Sequence, residues 1–204
     1  MTSKSINSET FLAGDIGLSY TNSFVSKIIL FFTSWQTKKA TCSHSFVCIN
    51  DNRIVEAVDK IRENSISKYD KKTYTKISVY RIPLSDEDRQ SLHEGLKKRI
   101  GGAYGWFKLP LFALDAVATK ITSFFGRKAP IFFFTKTFGI SNIPVCSQLI
   151  VWALHKFTSY RLLDRNKTIV NWKIISPDYL EDLLQLSHNS ATLFYAKLRH
   201  NNSN

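Results

Sequence analysis

The chain has 204 residues, 44% of them hydrophobic and 22% charged, and a formal net charge of +12 from 28 Lys+Arg against 16 Asp+Glu. This is enough apolar material for one domain with a proper core, somewhat short for two, and unlike a disordered chain. The charge favours anionic partners (nucleic acid, anionic lipid, acidic cell-wall polymer) without choosing among them. The basic residues are scattered, as in Lys38-Lys39, Lys71-Lys72 and Lys97-Lys98-Arg99. With no Arg-rich tail, zinc-finger spacing or RNA-binding signature, no specific nucleic acid is expected.

The lead-in, residues 1–13, has no apolar h-region, so no signal peptide is expected. The greasiest runs, Ile28–Phe32 and Ala129–Phe134, fall far short of the roughly 20 residues that span a bilayer. The chain is therefore expected to be soluble and cytoplasmic as made, with delivery to a membrane or cell wall left to another agent. Three cysteines, Cys42, Cys48 and Cys146, fit a reducing compartment better than a disulfide framework.

One domain is expected over residues 14–204. "GDIGLSY" (Gly14–Tyr20) reads as a turn and a short strand. Phe24, Ile28, Phe31, Phe32 and Trp35 fall at helical spacing. "CSHSFVCIN" (Cys42–Asn50), the turn signal Asn50-Asp51-Asn52 and "RIVEAV" (Arg53–Val58) make a hairpin. A further strand is expected at Lys76–Ile82. Leu84–Gly102 reads as a helix capped by Ser85, with Asp88 completing the box, and stopped by Gly101-Gly102. Residues 104–137, apolar and aromatic with single lysines, are an insertion that can serve as core, lid or membrane-facing flap. A helix runs from Cys146 to Phe157, another starts at Ser176-Pro177, and Thr192–Leu198 is a last strand. The order reads as α+β.

Cys146 opens its helix on the apolar face shared with Leu149, Ile150, Ala153, Leu154 and Phe157. Unpaired N–H groups and the dipole at a helix start favour a thiolate there. A small buried residue is the plain alternative. A nucleophilic cysteine needs a base and a group to orient it. Of the five histidines, His93, His155, His188 and His200 have polar or unremarkable settings, whereas His44 lies inside a strand. Alternation places His44, Phe46 and Cys48 on one face. Folding the hairpin about Asp51 sets Glu56 opposite Phe46, on the face of His44 and one diagonal step away. A one-residue slip would undo this. Glu56 would hold one His44 tautomer; otherwise it is an exposed residue on a solvated ribbon.

Taken in order, "GDIGL", "CSHSFVCI", "VEAV", "GGAYGW" (Gly101–Trp106), "VCSQLIVWAL" and "SPDYLEDL" (Ser176–Leu183) resemble the circularly permuted NlpC-type, papain-like thiol hydrolases, the YiiX/YebB-like group. The resemblance spans roughly residues 14–185. It implies a permuted papain-like fold, with an antiparallel sheet packed against the helix carrying the cysteine. It implies Cys146 as nucleophile, His44 as base, Glu56 as the orienting residue, and Asp15 as structural. Tyr104 and Ser147 would fall in the substrate and oxyanion region. Gln148 departs from an acidic residue common two positions after the cysteine. Catalysis of this type uses no metal or cofactor.

The function this implies is a Cys-His-Glu hydrolase cleaving an amide, such as a bacterial cell-wall peptide bond. A lipid acyl hydrolase or acyltransferase of the same fold is the second reading. A non-catalytic basic module for membrane or nucleic acid is the third. Cys42, His44 and Cys48 make a poor zinc set, because they lack the paired spacing of structural sites.

Overall fold

The computed structural model describes residues 6, 10–23, 26–27, 30–31, 41–71, 73–103, 114–115, 117–119, 121–122, 124 and 145–198. Six strands form one antiparallel sheet: β1 (Ile16–Thr21), β2 (His44–Cys48), β3 (Arg53–Ala57), β4 (Ile61–Ser65), β5 (Tyr74–Arg81) and β6 (Thr192–Leu198). Their spatial order is β4-β3-β2-β1-β5-β6. Beside it, among the described residues, lie the helices α1 (Asp86–Lys97), α2 (Cys146–Phe157) and α3 (Pro177–Leu184), an α+β arrangement. A 3-10 turn, Ile66–Asp70, joins β4 to β5.

The sheet is buried on both faces. On one, Ile16, Leu18, Val47, Val55 and Ala57 pack with Leu92 and Leu96 of α1, Leu149, Ile150 and Ala153 of α2, and Leu180 and Leu184 of α3. On the other, Phe46, Ile54, Ile77 and Val79 meet Ile66 and Tyr69 of the 3-10 turn, and Ile6 and Phe11 from the lead-in. Gly17 is needed for this packing. A Cβ there would lie 1.9 Å from Cζ of Phe46, whose ring covers the glycine from the neighbouring strand.

The helix starts follow the expected chemistry. Ser85 accepts from the Asp88 N–H, and Ser176 from the Tyr179 N–H with Pro177 in the first turn. Gly101 ends the α1 segment at φ 86°, and its N–H donates to the Ile61 carbonyl at 2.8 Å, tying the Gly-rich turn to β4. Gly14 turns at φ 91° ahead of β1. Asp15 beside it is fully buried, paired with Arg81 at 2.7 Å and accepting from the Leu12 N–H at 2.9 Å.

Two elements differ from the sequence reading. β4, "IRENS", was not anticipated. It is an edge strand with one buried apolar residue, and its charges find partners along the edge: Glu63 with Arg53 at 2.7 Å, and Arg62 with Asp59. Of the helix expected from Ser23 to Trp35, residues 26–27 and 30–31 are helical, Ser23 lies in a bend, and the others lie outside the described residues. Most of 104–137, Tyr104 included, also lies outside them.

Candidate active site

The β2–β3 turn sets the register on which the site depends. Asn50 Oδ1 accepts from the N–H groups of Asn52 (3.0 Å) and Arg53 (2.9 Å), and locks the turn. Phe46 then pairs with Glu56, Val47 with Val55 and Cys48 with Ile54. His44 and Glu56 meet diagonally, with Nε2 of the ring 2.8 Å from Oε2 of the carboxylate. The His44 side chain is 22% exposed and that of Glu56 is fully buried.

Glu56 has four donors. His44 and the Tyr69 hydroxyl (3.0 Å) share Oε2; Asn64 Nδ2 (2.7 Å) and the Lys68 ammonium share Oε1. Burial alone would push the carboxyl pKa up. Hydrogen bonding and charge from His44, and then from Lys68, outweigh it and hold the group at about 2. A buried carboxylate with this many donors is a fixed anion.

α2 packs on the opposite face of β2 and β3, and its first residue is Cys146, 5% exposed. The N-cap is Val145, which makes no side-chain cap bond. Its N–H instead donates to Gln148 Oε1 at 3.3 Å, while Gln148 Nε2 donates to the Lys173 carbonyl at 2.6 Å. Gln148 thus braces the helix start. Ser147 is fully buried, and its hydroxyl donates to the Ile175 carbonyl at 2.7 Å. What Ser147 can offer a ligand is its backbone N–H.

The Cys146 thiol interacts with the His44 ring. Because Glu56 holds Nε2, Nδ1 is the nitrogen left for sulfur. Burial would raise the thiol pKa, but the hydrogen bond and charge of His44, helped by the hydroxyl and N–H of Ser45, bring it below the ordinary value. Burial likewise works against a charged imidazole. Its bonds to Cys146 and Glu56 prevail and raise His44 to about 9. The two shifts run in the directions that favour a thiolate–imidazolium pair. The Ser45 hydroxyl is buried without a full hydrogen bond of its own, so its effect on sulfur is a weak one.

The other cysteines differ. The Cys42 thiol donates to Glu181 Oε2 at 3.1 Å, and burial, with the Glu181 charge, pushes its pKa far up. Burial does the same to Cys48. Neither is a thiolate near neutral pH. Cys42 belongs instead to a strap that fixes the approach to His44. Asp178 of α3 accepts from the Cys42 N–H at 2.8 Å, and also from that of Thr41. Glu181 accepts from Thr41 Oγ1 (2.6 Å) and Lys76 (2.9 Å). Among the other histidines, His93 bonds the Ile49 carbonyl and His188 the Asp164 carbonyl, each at 2.8 Å.

The sequence reading missed Asn64, Lys68 and Tyr69 around Glu56, and Asp178 and Glu181 behind His44. Lys68 and Tyr69 reach Glu56 only because β4 folds the chain back on β3. Asp178 and Glu181 did carry a signal, as acidic residues three apart on a helix that also carries Leu180, Leu183 and Leu184.

No family model and no curated protein matches the chain. Among solved structures it is similar to metalloprotein yiiX from Escherichia coli O157:H7 (DUF1105), at 16% identity and a TM-score of 0.49, over 92% of this chain and 88% of that one. The described residues of this chain hold no group of three or more His, Cys, Asp and Glu placed to bind a metal ion.

Proposed function

We propose that the chain is a cysteine hydrolase of the permuted papain-like type, with Cys146 as nucleophile, His44 as acid and base, and Glu56 as the residue that orients His44. The observation carrying this reading is the buried Glu56 carboxylate, 2.8 Å from Nε2 of a histidine whose pKa is raised by Cys146, a thiol at a helix start. A structural ion pair needs no such thiol, and a packing cysteine needs no such histidine.

The reading implies the following steps. The Cys146 thiolate attacks a carbonyl carbon, the C–S bond forms, and the carbonyl electrons move to oxygen. Backbone N–H groups at the start of α2, those of Cys146 and Ser147, take up that charge. His44, protonated through Nδ1, gives its proton to the leaving nitrogen or oxygen as that bond breaks. A water molecule, deprotonated by His44, then releases the acyl group from sulfur. Glu56 keeps its charge throughout and fixes the ring.

The substrate is an amide, such as a cell-wall peptide bond. Incubation with cell-wall peptides and with phospholipids, each beside Cys146→Ala, tests the proposal. Turnover of peptides alone, lost in the variant, is the expected result. Turnover of phospholipids alone moves the reading to a lipid acyl hydrolase. Turnover that survives in Cys146→Ala refutes the nucleophile.

A further inference from the structure

An acid that only orients a histidine needs one oxygen for the task. Glu56 uses Oε2 for His44 and the Tyr69 hydroxyl, and gives Oε1 to Asn64 and the Lys68 ammonium. Lys68 reaches the carboxylate from the 3-10 turn, and its ammonium lies 5.1 Å from the centre of the Tyr69 ring. Nearby cations on other elements are engaged elsewhere. Arg62, directly across from Glu56 on β4, pairs with Asp59, and Lys76 of β5 pairs with Glu181. Tyr69 of the turn and Tyr74 of β5 are held above the ordinary phenol pKa of 10.0 by burial and by the Glu56 charge, so both are neutral. On the far side of His44 stands Cys146 of α2. Among the described residues, one buried carboxylate is thus shared by two cations, the His44 imidazolium and Lys68.

We propose that Lys68 is a positioning residue of this site: acting through Glu56, its charge loosens the hold of the carboxylate on the His44 imidazolium and lets His44 give its proton to the leaving group. The inference rests on the roles proposed for Cys146 and His44. A buried carboxylate that faces a histidine alone makes the imidazolium a weak acid. His44 already stands at about 9, which is high for a group that must release a proton near neutrality. Lys68 sets a second positive charge against the same anion. In the reactive state the row Lys68, Glu56, His44, Cys146 alternates in sign and sums to zero. Without Lys68 one uncompensated negative charge is left in the site, and proton uptake by His44 and Cys146 is favoured. Glu56 itself stays ionised, because His44 does more than Lys68 to hold it so.

NMR titration of His44 in the full chain tests this, with Lys68→Met, Lys68→Gln and Lys68→Arg beside the wild-type Lys68. Every protein carries Cys146→Ala, so the His44 reading is independent of the thiol. Lys68→Met removes donor and charge, Lys68→Gln keeps a donor without charge, and Lys68→Arg keeps both. The His44 pKa should rise by about half a unit or more in the Met and Gln variants and stay at the wild-type value in Lys68→Arg. With the thiol restored, the acid limb of Cys146 alkylation should move up in the same two variants. A lysine that only pinned the 3-10 turn would lower the melting temperature and leave the His44 pKa in place. Thermal melting establishes which variants fold, and Lys68→Gln carries the test if Lys68→Met does not. An unchanged His44 pKa in the folded neutral variants overturns the proposal, and so does a rise that Lys68→Arg shares in full. An ordinary thiol profile for Cys146 with Lys68 intact would instead refute the proposed nucleophile, a result the His44 titration does not depend on.

Discussion

Replacing Glu56 by glutamine removes one charge from the centre of the site and keeps its shape. The carboxyl is held at about 2 against an ordinary 4.5. At about 1.4 kcal/mol per unit, that difference is worth about 3 kcal/mol. The side chain is fully buried, so solvent screening takes little of this. The replacing amide also meets four donors with only one acceptor oxygen, and its own NH2 faces a donor pair. At least one buried donor then loses its partner, a cost of about 1–3 kcal/mol. Glu56→Gln should therefore unfold about 8–24 °C below the wild type. The sign of the pH dependence is fixed: a carboxyl with a lowered folded pKa contributes above pH 4.5 and loses its contribution as pH falls toward 2. The gap between the two proteins should narrow over that range. The same change removes the anion that keeps His44 protonated. Iodoacetamide alkylation of Cys146, followed by mass spectrometry against pH, reads this directly. In the wild type the rate should hold well below the ordinary thiol pKa of 9.0. In Glu56→Gln the acid limb should move up by about one unit or more. Destabilisation with an unchanged alkylation profile would reduce Glu56 to a structural residue and refute its orienting role.

Other consequences follow from the same contacts. In the native protein at pH 7 only Cys146 of the three cysteines should be alkylated, with Cys42 and Cys48 labelled after unfolding; peptide mapping distinguishes them. His44 is raised to about 9 from 6.5, so its contribution to stability is complete below pH 6.5 and is lost as pH rises through 9. Melting temperature should fall over that window in the wild type and stay flatter in His44→Ala. Gly17→Ala forces a methyl group into the Phe46 ring and should cost about 1–3 kcal/mol in urea unfolding; an unchanged midpoint would contradict the packing described for β1 and β2.

Much of this arrangement is written locally. Asn50-Asp51-Asn52 is a turn signal strong enough to fix the hairpin register, and register alone brings Glu56 to His44. The Cys146–Phe157 helix is bounded by a proline before it and an apolar stripe along it, and its range is the same in sequence and structure. Ser85 and Ser176 announce their helices by capping chemistry. What was illegible depends on tertiary contact. β4 has one buried apolar residue and no alternation, so nothing in "IRENS" distinguishes it from a loop until β3 offers an edge. Lys68 and Tyr69 stand in a polar stretch that carries no motif, and only the fold-back of the chain makes them partners of Glu56.

The claim at the centre of this account is that Cys146 forms a covalent acyl intermediate with the help of His44. Intact-mass spectrometry of the protein after brief exposure to an activated acyl ester tests it most directly, with the adduct located by peptide mapping. One acyl group on Cys146, absent in Cys146→Ala and strongly slowed in His44→Ala, is the expected result. Acylation elsewhere, or at Cys146 with the same rate in His44→Ala, would contradict the account.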